Sequence, residues 1–175
     1  MVRMILAGAA LILAACSQGE SATARAPAGT AATAGGAAQA AARHPVSGLR
    51  VIDLTVQGQG QGRSAHRFRV ELADTPAAQA RGLMYRTELG DFEGMLFPSA
   101  VPEPRSFWMK NTPLSLDIIF IGPDGRISNI AANTTPYSTD SVSSIGPASA
   151  VLELRAGRAA ALGIVPGDRV DYVLP

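Results

Sequence analysis

The chain has 175 residues, room for one domain of ordinary size with additions. A formal net charge of +1 gives no basis for binding nucleic acid or an acidic partner. A single cysteine excludes an internal disulfide, a thiolate metal cluster and a redox pair.

At the amino terminus Arg3 stands ahead of an apolar run over residues 4–13. That run is too short to cross the roughly 30 Å hydrocarbon core as a helix, which takes about twenty residues. A short apolar core behind a basic start has the form of a secretory signal, expected over residues 1–15. It ends in Leu13-Ala14-Ala15-Cys16, which resembles the bacterial lipobox, where a small residue precedes a cysteine that takes a diacylglycerol. A thiolate suits that step because it is a better nucleophile than a hydroxyl. Cys16 is therefore expected to carry the lipid, palmitate included, and several acyl chains hold a membrane far more firmly than one. Ser17 rather than aspartate follows it, which favours the outer over the inner membrane of a bacterial envelope. The membrane is one expected partner, reached through this anchor.

Residues 17–43 contain no aliphatic side chain larger than alanine and no aromatic, and Pro27 and Gly35-Gly36 interrupt any helix. Such a stretch buries too little apolar area to offset its ordering entropy, so residues 16–45 read as an acylated, disordered tether.

The folded domain is expected over residues 46–175. Ile52, Leu54 and Val56 alternate with Asp53 and Thr55, a strand of period two, and a Gln/Gly run over residues 57–62 turns the chain. Phe68, Val70 and Leu72 form a second strand with Arg67, Arg69 and Glu71 on its wet face. Thr75 as N-cap and Pro76 at the first helical position start a helix that runs to about Met84, with Gly82 inside it. Met95-Leu96-Phe97 reads as a strand ending at Pro98, and Ser106 to Met109 as another. The apolar run 116–121 turns at Gly122-Pro123-Asp124-Gly125 into residues 126–130, a hairpin. Residues 150–154 make a strand, 156–162 a second short helix closed by Gly163, and 169–174 the last strand. The stretch 133–144 reads as a surface loop. Many short strands, two short helices and no alternation of strand and helix predict a mainly β (α+β) fold, a small mixed β-barrel-like domain.

Six motifs occur in order. They are Arg81-Gly82-Leu83-Met84 with Arg86, Glu93-Gly94-Met95-Leu96-Phe97, and Phe107-Trp108-Met109-Lys110-Asn111-Thr112. Leu116-Asp117-Ile118 with Phe120, Val151-Leu152-Glu153-Leu154, and Gly163-Ile164 ahead of Gly167-Asp168 follow. Together they closely resemble the family known as domain of unknown function 192, over residues 52–174. The resemblance implies a small mixed β-barrel-like fold and no established activity or cofactor.

Asp117 lies inside an apolar strand, where an unpaired charge is costly, so it must be solvated, paired or hydrogen-bonded. One outcome is a structural ion pair or a solvent-facing strand. The other is a polar cleft of Arg81, Lys110, Asn111, Asp117 and Glu153 that binds a small anionic or polar ligand. Met84, Met95, Met109 and Trp108 form a second set. Thioethers select cuprous copper, and the same side chains are ordinary core fillers. Nothing resembles a nucleophile elbow, a zinc-binding helix or a phosphate-cradling loop, and Ser143, Ser144 and His66 read as loop and strand residues. Three functions fit these residues. The first and favoured one is a non-enzymatic module for a small polar ligand or an envelope protein. The others are a periplasmic copper-handling protein and an enzyme of unrecognised type.

Overall fold

A computed structural model describes residues 42–60 and 62–175. The signal segment, Cys16 and the tether through residue 41 lie outside the described residues.

The first two strands, β1 (Val51–Gln57) and β2 (Ala65–Leu72), pair antiparallel on either side of the Gln/Gly turn. Helix α1 (Pro76–Arg81) follows, with the Thr75 hydroxyl accepting from the Ala78 backbone N–H at 3.2 Å. It stops earlier than the sequence pattern predicts. Gly82 sits at φ +49, which ends the helix instead of continuing it, a backbone conformation that residues with a side chain rarely adopt. The chain then enters β3 (Glu93–Glu103), which lies parallel to β2. That crossover through α1 is a strand-helix-strand unit, an alternation the sequence reading did not expect. Strand β3 also continues past Pro98, through an irregularity that shifts its register by Glu103.

A short β4 (Ser106–Phe107) leads into β5 (Leu116–Ile121), which turns into β6 (Ile127–Ala131) as the Pro-Asp-Gly signal predicts. Within the expected loop a two-residue β7 (Val142–Ser143) pairs with β4. Strand β8 (Ala148–Arg155), helix α2 (Arg158–Ala161) and β9 (Arg169–Tyr172) complete the domain.

Seven strands form one sheet in the order β6-β5-β8-β3-β2-β1-β9, with β4 and β7 apart from it. The mainly β class with two short helices is as expected. The sheet does not close into a barrel: its edge strands meet only at one corner, where Arg126 bridges Arg169. Every residue of β5 is buried, so β5 has a core on both sides instead of one wet face. One core gathers Leu96, Ile119 and Leu152 of the central strands with β1, β2, β9 and Ala159 of α2. The other gathers Met95, Phe97, Ile118, Phe120 and Val151 under Leu83, Leu89 and Met109 from the crossing loops. Gly94 permits the close pairing of β3 with β8, because a Cβ there would stand 2.5 Å from the Glu153 carbonyl oxygen.

Candidate functional site

The central strands carry two lone acids, and alternation along the strands sends them to opposite faces. Asp117 shares a face with Ile119 and Ile121, and is fully buried. Its Oδ1 accepts from the backbone N–H of Asn133 at 2.9 Å and of Gly157 at 3.1 Å, and its Oδ2 from Ala159 at 2.9 Å. Gly157 opens α2 and has no side chain to cap it, so Asp117 supplies the missing acceptor from across the fold. Its lone pairs are engaged in holding loop 133 and the helix start. None of Arg81, Arg105 or Lys110 pairs with it.

Glu153 faces the other way. It stands in register between Met95 of β3 and Ile118 of β5, and is 5% exposed. Its Oε2 is buried with no hydrogen-bond partner among the described residues. Burial pushes its carboxyl up to about 8 from the usual 4.5, so it is protonated at neutral pH. One strand beyond Met95 in the same row is a third buried acid, Glu71, with a different fate. Arg86 Nη1 donates to Glu71 Oε1 at 2.7 Å, Ser47 Oγ donates to Oε2, and His44 Nε2 lies 3.6 Å away. Glu71 is neutralised by a cation and Glu153 by its own proton.

Glu153 lines a half-open cleft of about 240 Å³ between the sheet and the crossing loops. Its apolar wall is Met84, Phe97 and Phe107 with Leu83, and the last two rings meet edge-on at 5.1 Å between centroids. Its polar wall comes from Arg81 and Gln79 of α1 and from Arg105, Ser106 and Thr112. Arg105 is held by Ser99 Oγ at 2.6 Å and Gln79 Oε1 at 3.3 Å, and lies 5.5 Å over the Phe107 ring. Trp108 forms the lip, with Lys110 Nζ 5.2 Å over its ring. Asn111 reaches the same lip, its Nδ2 donating to Met84 Sδ at 3.9 Å.

The loops that follow the lining residues Met84, Trp108 and Thr112 are strained. Tyr85, Asn111 and Tyr137 are non-glycine residues at positive φ, and the backbone joins them: Tyr85 N–H donates to the Asn111 carbonyl and Tyr137 N–H to that of Thr112. Both tyrosine side chains are exposed, at 65% and 64%. Left-handed backbone at bulky residues costs of order 1 kcal/mol or more each, and it concentrates at binding sites.

Of the five residues expected to form a cleft, the fold therefore brings Arg81 and Glu153 into one cavity and puts Lys110 and Asn111 on its lip. Asp117 lies on the opposite face. Gln79 belongs to the cleft and was missed, and Arg105, a possible partner of Asp117 by sequence, belongs to the cleft instead. Arg105 carried one usable signal, an arginine two residues ahead of Phe107-Trp108; Gln79 carried none. In the methionine set, Met84 lines the cleft with Trp108, whereas Met95 and Met109 are core residues.

The family model for domain of unknown function 192, described as an uncharacterized ACR, matches residues 56–172. The chain is similar to a protein of unknown function from Novosphingobium aromaticivorans, known from its crystal structure. The two are 54% identical with a TM-score of 0.72, over 77% of this chain and 94% of that one. It is also similar to a Sinorhizobium meliloti protein described, as a conjecture, as a transcription regulator. That pair is 38% identical with a TM-score of 0.67, over 71% of this chain and 95% of that one. A search of curated proteins gives no match.

Proposed function

The chain belongs to the domain of unknown function 192 family, and from that premise we propose that it is a lipid-anchored, non-enzymatic module that binds a small polar ligand in the Glu153 cleft. The observation that carries this is the unpartnered Glu153 Oε2. A buried polar atom without a partner is expensive, and such atoms are rare in native proteins. Glu153 lines a concave site with aromatic walls and convergent polar groups, the composition of ligand sites in general. A volume of about 240 Å³ suits a molecule smaller than a typical drug.

Anchoring is supported by Leu13-Ala14-Ala15-Cys16, with Cys16 the chain's one cysteine. It places the module on the periplasmic side of a bacterial envelope, with Ser17 favouring the outer membrane. Labelled palmitate should enter the wild-type protein and not Cys16→Ala, and equal labelling of the two would remove the anchor. For the cleft, the full chain released from host membranes should show a non-covalent small-molecule adduct by native mass spectrometry. Glu153→Leu, which fills the floor with an apolar group, should lose it. An identical adduct on both proteins, or none on either, counts against binding at this cleft.

A further inference from the structure

The charges around the cleft are unbalanced in a way that selects its ligand. Two cations line it, Arg81 at the end of α1 and Arg105 ahead of β4, and a third, Lys110, stands over the ring of Trp108. Among the described residues no carboxylate pairs with any of them. Arg105 is tied down by neutral partners, Ser99 and Gln79, and Lys110 leans on Trp108. Arg81 is exposed and its guanidinium has no hydrogen-bond partner among the described residues, so its planar fork of donors is free at the mouth.

The one acid in the lining is Glu153, and its neighbours do nothing to ionise it. Strands β3 and β5 offer it Met95 and Ile118, and Glu71, the next acid along the row, is bound to Arg86. Burial alone governs its carboxyl, and among the described residues neither Arg81 nor Arg105 pairs with it. A protonated carboxyl carries an O–H donor that an ionised one lacks. The cleft therefore presents donors and positive charge, and no negative charge, over an apolar wall of Met84, Phe97 and Phe107.

We propose that the cleft takes a small organic anion, a carboxylate on an apolar body, with Arg81 pairing its charge and the Glu153 carboxyl donating a hydrogen bond to it. This rests on the binding-module reading above and names its ligand class. A carboxylate matches the guanidinium fork in two parallel bonds and accepts from the acid at the same time. The apolar body lies against the edge-on ring pair. Binding is proton-linked, because ionisation of Glu153 replaces the donor with a like charge facing the ligand.

Trp108 is the chain's one tryptophan and forms the lip, so its fluorescence reports occupancy directly. The test titrates the full chain with three probes of matched shape: benzoate, benzamide and benzylamine. Benzoate should bind most tightly and benzylamine least. Arg81→Gln should weaken benzoate about tenfold or more, the scale of a charge-assisted bond. Benzoate affinity should hold steady below about 8 and fall about tenfold per unit of pH above it. Glu153→Gln, which keeps a donor but cannot ionise, should bind benzoate with no such fall, and its thermal unfolding shows that it remains folded. Benzylamine binding better than benzoate, an unchanged Arg81→Gln, or a pH-independent wild type overturns the anion while leaving a ligand cleft standing. No response to any probe overturns the binding module along with it.

Discussion

Asp117 and Glu153 lie on neighbouring strands, each a single acid in an apolar run, and they meet opposite fates on opposite faces of one sheet. On the α2 side the facing layer turns three backbone N–H groups toward Asp117. On the cleft side the facing layer stands back and gives Glu153 nothing. Whether a buried acid is a fastener or a site is thus decided by the layer opposite, not by the strand that carries it.

The contrast predicts a graded series of effects. Asp117→Ala strands three backbone donors, that of Ala159 fully buried, and should cost about 3 kcal/mol in urea unfolding, while Asp117→Asn, with one acceptor left, should cost clearly less. A loss under about 1 kcal/mol for the alanine variant would mean that the α2 start needs no cap.

Arg86→Met should cost a similar amount, roughly 3 kcal/mol, because it leaves Glu71 buried without its cation. The double change Arg86→Met with Glu71→Gln should recover much of that loss, which a mere packing defect would not allow.

Glu153→Gln should do the reverse and stabilise. Between the free value of 4.5 and the folded value of about 8, the folded chain holds a proton that the unfolded chain has released. Wild-type stability should therefore fall as pH rises through that window and level off above it. Near pH 7 the cost is about 3 kcal/mol, at about 1.4 kcal/mol per pH unit. Glu153→Gln should remove that slope, and a wild-type curve flat across the window would show that Glu153 is ionised in the folded protein.

The smallest effect belongs to the strained loop after Met84. Tyr85→Gly relieves left-handed strain at φ 64 and adds unfolded-state freedom, so stability should change by less than about 1 kcal/mol. Loss of an exposed ring without loss of stability would mark it as a residue kept for something other than folding.

Much of this architecture is written in local pattern. Period-two alternation marks β1 and β2, and the Pro-Asp-Gly turn marks the β5–β6 hairpin, because both signals come from the chain's immediate neighbours. What stays hidden depends on distant partners. The second core over β5 is invisible because a fully apolar strand looks the same with one covered face or two. Strand β7 pairs over two residues only and leaves no periodicity. The parallel pairing of β2 with β3 depends on where a short crossover lands. In the site, Arg81 and Glu153 could be grouped by residue type. The fate of Asp117 could not, since its partners are backbone groups that every sequence possesses.

The near-meeting of β6 and β9 has a colloidal consequence. Three backbone hydrogen bonds cross that corner, from Ile127 to Asp168, Gly167 to Ile127 and Val170 to Gly125. Further along β6, Asn129 is engaged by Ser143 and Ile145, which lie over the edge as a cover. From that corner outward β9 carries the charged couple Arg169 and Asp171. A second molecule seeking to add its own strand finds no long, flat, neutral row of donors and acceptors to copy. Many such molecules can be crowded into a thin layer without any one of them templating a fibre.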